Sequence, residues 1–129
     1  MDKVWLFTEE EFLILASACG IKSLFGFPID MEKFSREDAI YSVQELRQRG
    51  LLEVGETMYP TEEMQEIFGN IRDAQSYVEV RKKSGRTCVI YIDKIAVKVS
   101  KSMRREGTFE VITTEVSKVW DHLTDEGWV

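Results

Sequence analysis

The sequence predicts an α+β fold: a helical, winged-helix-like first half with a small β-hairpin, then a four-stranded antiparallel meander sheet and a C-terminal helix. Three observations carry this. Up to about residue 76, apolar positions recur at helical spacing between capping residues and glycines. From Tyr77 the apolar period drops to two, with turn signals at Ser84-Gly85, Asp93-Lys94 and Glu106-Gly107. The connections between these runs are too short for parallel crossovers, so consecutive strands pair antiparallel. The 129 residues make one domain's worth, 1–129, with a helical part over 1–76 and the sheet with its last helix over 77–129.

Val4–Phe7 reads as a short strand. Thr8 and Glu11 then form a capping box, Phe7 and Phe12 hold the staple positions around it, and Glu9, Glu10 and Glu11 face the positive end of the helix dipole. The dipole accounts for this acidic trio without an acid–base role. Gly20 suits the left-handed position that ends the helix. The segment 21-IKSLFGFPIDMEKF-34 is an apolar loop expected to tuck over the core, with a peptide groove as the alternative. Ser35 and Asp38 open a second helix with Ala39, Ile40, Val43 and Leu46 on one face; Gly50 closes it and Leu51 folds back on its last turn.

Leu52–Val54 and Thr57–Tyr59 are expected to pair across Gly55-Glu56. Thr61 caps a third helix with Met64, Ile67, Phe68 and Ile71 as its stripe and Gly69 as a weak point. Strands follow at Tyr77–Lys83, Arg86–Asp93, Ile95–Lys101 and Thr108–Thr113. A last helix, about Thr114–Thr124, carries Val116, Val119, Trp120 and Leu123 on one side. Strand alternation puts Val78, Val80, Ile90, Ile92, Val97 and Val99 under the helices. Tyr77, Glu79, Arg81, Val89, Tyr91, Lys98 and Ile112 fall on the opposite face. That second face reads either as a wet surface or as a contact; Tyr77, Val89, Tyr91 and Ile112 are its candidate dimer residues.

The chain lacks a Gly-rich nucleotide loop and a metal-ligand spacing. Cys19 and Cys88 stand far apart with no CxxC and read as buried thiols in a reducing compartment. The single histidine, His122, lies beside Asp121 and near Asp125, where a helix C-terminus favours a structural or surface role over catalysis. Catalytic residues, metals and cofactors are therefore not expected. The opening residues are unlike a secretory signal and no apolar run is long enough for a bilayer span, so a cytoplasmic location is expected.

In 47-RQRGLLEVGETMYPTEEM-64 a helix is followed by a hairpin, the order of a winged-helix DNA reader. The hairpin carries Glu53 and Glu56, and the preceding helix begins with Glu37 and Asp38, where phosphate contacts would need Lys or Arg. The formal charge is −6. Residues 1–71 hold 6 Lys/Arg against 14 Asp/Glu, whereas residues 72–105 hold 10 against 3. The basic excess gathers at Arg81, Lys82, Lys83 and Arg86 around one turn, and at Lys101, Arg104 and Arg105 beside Met103 in another loop. Two such loops suit an acidic protein partner. RNA is the alternative, with only Tyr77 and Tyr91 placed for base stacking; solubility and edge protection are the plain reading.

The run 4-VWLFTEEEFLILASACGIKSLFGFP-28 resembles the opening of the EspG family, the cytosolic chaperones of type VII secretion. The similarity continues through 37-EDAIYSVQELRQRGLLEVGETMYPTEEMQEIF-68 and into the meander at 77-YVEVR-81. The family fold holds two similar halves in one chain, each a sheet with a helical bundle; this chain supplies about one. The resemblance implies a non-enzymatic adaptor that holds the tip of a helical secretion substrate through loops and sheet-edge elements, completed by a second copy as a homodimer. The basic loops Lys82–Arg86 and Met103–Arg105 are the candidate contacts. A winged-helix-like regulatory or nucleic-acid-binding module is the other reading.

Overall fold

The computed structural model describes residues 3–24, 26, 31–102 and 105–128. Both capping boxes close. Thr8 caps α1 (Glu9–Ala18) and Ser35 caps α2 (Arg36–Gln48), each with reciprocal side-chain and backbone bonds to the third helical residue. The two helices also end alike. At Gly20 (φ +82) and Gly50 (φ +73) the chain turns left-handed, and the next residue donates back to the last turn: Ile21 to the Ala16 carbonyl at 3.0 Å, Leu51 to Leu46 at 2.9 Å. Both of those residues are buried, so each helix stop is also a core contact.

The hairpin is β2 (Leu52–Val54) with β3 (Met58–Pro60), one residue later than expected because Thr57 joins the turn. Thr61 stands at the N-cap of α3 (Glu62–Arg72) without a capping bond from its side chain; Gly69 does not end the helix, which runs on to Arg72. Met64, Ile67, Phe68 and Ile71 are buried along it as expected.

The meander strands are β4 (Ser76–Arg81), β5 (Thr87–Ile92), β6 (Ala96–Lys101) and β7 (Thr108–Thr114). The sheet has five strands rather than four, in the order β1-β7-β6-β5-β4, because the first strand, β1 (Lys3–Thr8), pairs antiparallel with β7 from Lys3↔Thr113 to Thr8↔Thr108. The sheet thus begins with the first strand of the helical part, and the division near residue 76 is not a structural one.

Register corrects the expected faces. Ile90 sits opposite both Lys98 and Val78, while Val89 sits opposite Val99 and Glu79, and Tyr91 opposite Val97 and Tyr77. Cross-strand partners share a face. The helix-covered face therefore carries Tyr77, Glu79, Arg81, Val89 and Tyr91 with Val97 and Val99. Val78, Val80, Ile90 and Ile92 lie on the other, with Lys98 and Ile112. The main core joins Val89, Tyr91, Val97, Val99, Phe109 and Val111 to the inner sides of α1, α2 and α3. At its centre Phe68 meets Phe7 (6.1 Å between centroids) and Phe12 (5.4 Å). On α2 Leu46 is buried but Ile40 faces out.

The loop after α1 crosses the sheet at Gly26 (φ +86), where a Cβ would lie 2.6 Å from the Val89 side chain; only glycine fits that approach. Asn70 of α3 is buried. Its amide donates to the Tyr91 carbonyl and its oxygen accepts from the Ile95 N–H, both at 3.1 Å, tying helix to sheet at the β5–β6 turn.

On the second face lies α4 (Val119–Asp125), preceded by a 3₁₀ turn at Val116–Lys118. Leu123 and His122 are buried there, whereas Val116 and Trp120, expected on the buried side, are exposed. The helix ends like the first two: Gly127 has φ +76 and the Trp128 N–H returns to the Leu123 carbonyl at 2.8 Å. This turn brings Trp128 onto the sheet, where it joins Cys88, Ile90, Ala96 and Leu123 in a second, smaller core.

Candidate functional site

In a meander alternate turns fall at the same end of the sheet. The β4–β5 turn, the β6–β7 loop and the β1–α1 junction thus share one end, and the two basic loops of the sequence share it with them. Arg81, Lys82, Arg86 and Lys101 line one cavity of about 740 Å³ together with Trp128, Phe109 and Gly26. Its two carboxylates are already engaged: Glu79 pairs with Arg81 at 2.6 Å and Glu9 with Lys33 at 3.2 Å. Lys82, Arg86 and Lys101 make no ion pair among the described residues.

Trp128 organises the cations. The Arg86 guanidinium lies 4.5 Å from the centre of its six-membered-ring system and Lys82 Nζ 5.9 Å. Lys98 Nζ is 5.4 Å from the same ring. Lys98 is buried (1% exposed), its Nζ lacks a hydrogen-bond partner, and the nearest acid is Glu126 at 4.0 Å. Burial pushes the Lys98 ammonium below its ordinary value, with Glu126, Cys88 and Glu110 opposing and Arg86 adding to the shift. The indole N–H of Trp128 is likewise buried without an acceptor.

The remaining candidates are dispersed. Lys83 is exposed and outside this cavity. Arg105 lines a separate hollow of about 520 Å³ whose walls include Asp38, Glu45 and Arg49. Met103 and Arg104 lie outside the described residues. The proposed dimer set does not form a surface: Val89, Tyr91 and Ile112 are buried within the chain, Ile112 on the opposite face from the other two, and only Tyr77 of the four is exposed, edge-on to Tyr91 at 5.7 Å. His122 is buried on the inner side of α4, with Nε2 3.8 Å from Glu126.

Both cysteines are free and buried; burial pushes the Cys88 thiol up to about 11 and raises Cys19 as well, so neither has the depressed value of a reactive thiol. Among the described residues no three His, Cys, Asp or Glu side chains are grouped as metal ligands. No helix among them is long and apolar enough to cross a membrane. The hairpin tip exposes Glu53 and Glu56, and Arg49 is turned away from it, held by Glu11 at 3.4 Å and lying over the Phe7 ring.

Trp128 and Lys98 were the residues that sequence reasoning missed. Gly127-Trp128 repeats the glycine-then-apolar signal of Gly20-Ile21 and Gly50-Leu51, so the tryptophan's return to the core was readable. No family model, curated protein or solved structure matches this chain.

Proposed function

We propose that the chain is a non-enzymatic protein-binding adaptor of the EspG-like kind, which takes an acidic surface of a partner, such as a helical secretion substrate, at the cationic end of its sheet. The observation that carries this reading is the meeting of the β4–β5 turn cations with Lys101 at one end of the sheet, beside acid-rich helices. The charges there are presented and uncompensated, which favours fast, selective encounter with an opposite charge. The order strand, helix, loop, helix, hairpin, helix, meander follows the segments on which the resemblance rests, and supports it. Of the two routes to a homodimer, the sheet or the last helix, this proposal takes the last helix, where Trp120 of α4 and Val116 of the turn before it are exposed.

Affinity capture with the wild type and with Lys82, Lys83 and Arg86 reversed to Glu tests the docking surface. A captured protein, once purified, should bind the variant at least about tenfold more weakly. Lys83→Glu alone, which touches nothing on Trp128, keeps the comparison valid if the triple variant misfolds. Equal affinity for the wild type and Lys83→Glu, or an identical captured set for all three proteins, would remove this surface from the reading.

A further inference from the structure

The geometry points to a phosphate site in the cavity at the cationic end of the sheet, where Lys82 and Arg86, resting on Trp128, and Lys101 from the helix-covered face hold the phosphate group of a small phosphorylated molecule.

Charge sets the ligand class. With Glu79 and Glu9 committed to Arg81 and Lys33, three cations of one concavity are left without a counter-ion among the described residues. A single carboxylate would leave two of them unmatched, whereas a phosphate monoester brings up to two charges and three acceptor oxygens. Arg86 rests over the Trp128 ring with its guanidinium carbon 4.5 Å from the ring centre, and a guanidinium carries the donor fork that bidentate oxyanion recognition uses. Lys82 rests on the same ring, so both long side chains are held in place before a ligand arrives.

Neutral donors stand beside the charges. Ser84 and Thr87 line the cavity with hydroxyls. Gly85 turns left-handed (φ +93), and the space where its Cβ would stand is open, so the backbone is approachable there. Lys98 is not part of the lining, but its hydrogen-bond-free ammonium on the same indole adds positive field from the protein side. At about 740 Å³ the cavity is of small-molecule size, with room for an organic portion beside the phosphate. A nucleic-acid strand is the poorer fit, because the chain as a whole is at −6 and its helical part is acidic.

The site does not rest on the adaptor reading, and the test separates them. ¹H–¹⁵N spectra of the intact protein are followed while inorganic phosphate, a sugar monophosphate or a nucleoside 5′-monophosphate is added, each against its phosphate-free counterpart or matched chloride. The Trp128 indole resonance, assigned by its loss in Trp128→Phe, is expected to move with a Kd below about 1 mM. Tighter binding of either monoester than of inorganic phosphate is the expected order and identifies a phosphorylated metabolite; equal binding identifies free phosphate as the ligand and overturns the organic portion. Lys101→Gln and Arg86→Gln should each weaken binding about tenfold, and Lys83→Gln, outside the cavity, should not. Lys101→Gln changes an exposed residue and keeps the test valid if Arg86→Gln unfolds. No shift up to millimolar phosphate, the same shift with chloride, or an unchanged affinity in Lys101→Gln overturns the site while leaving protein docking untouched. Unchanged docking in Lys83→Glu with phosphate binding intact does the reverse.

Discussion

On the side of the sheet that meets α1, α2 and α3, the buried residues are Val89, Tyr91, Val97, Val99, Phe109 and Val111, sealed by an aromatic cluster from β1, α1 and α3. On the other side, Cys88, Ile90 and Ala96 meet Leu123 and Trp128, and Lys98, Ser100 and Thr114 are buried there too. The first side is built from three helices of ten to thirteen residues, and the buried Glu11 and Asn70 there are hydrogen-bonded. The second is covered by seven helical residues and one returning tryptophan, and it takes a charged side chain out of water. A polar group under thin cover contributes little to stability and is costly to keep. The first side is therefore the structural one, and the cationic end draws on both: Arg81 and Lys101 stand on the first, Arg86 rests on Trp128 of the second.

The contrast is broken most severely at Phe68. Phe68→Ala removes the ring against which Phe7 and Phe12 both rest and should cost about 3–5 kcal/mol in urea denaturation, a large share of a domain's usual total of about 5–15 kcal/mol. On the second side, Leu123→Ala should cost about 2 kcal/mol, the low end for such a change, because a small cluster under a short helix collapses more readily around the lost volume. Asn70→Ala strands the Tyr91 carbonyl and the Ile95 amide and should cost about 1–2 kcal/mol; amide exchange at Ile95 should rise with it.

Lys98→Met sharpens the comparison because its sign is opposite. Replacing the buried ammonium with an apolar chain of similar length should stabilise the protein by about 1 kcal/mol at neutral pH. The folded-state value of Lys98 lies below the ordinary 10.5, so beneath that pH the unfolded chain holds a proton that the folded chain binds less tightly. Between that folded-state value and 10.5, wild-type stability relative to Lys98→Met must then rise with pH and the advantage of the variant shrink. Cys88, raised by burial from 9.0 to about 11 with Lys98 opposing, titrates with the opposite sign in the same range, so both proteins carry Cys88→Ala. Denaturation curves at several pH values up to about 10.5 measure the difference; a gap that widens with pH would contradict it.

What was legible in the sequence was local. Thr8 with Glu11, Ser35 with Asp38, Gly20 and Gly50 fixed two helices at both ends, because caps depend on residues three or four apart. The faces of the sheet were not legible. In 87-TCVIYI-92 five of six residues suit a core, so alternation carries no phase, and only the pairing of Ile90 with Lys98 decides which way each points. The partner of β1 depends on a contact across the whole chain, which no local pattern encodes. The cations of the β4–β5 turn were found by composition alone; their dependence on Trp128 was hidden because the last glycine was not read as the first two had been.

Asn70 couples the opening of α3 to that of the sheet. Its two hydrogen bonds both reach the β5–β6 turn, at the Tyr91 carbonyl and the Ile95 N–H, so α3 cannot peel away without stranding a buried amide. Helix and turn should therefore exchange their amide hydrogens as one cooperative unit.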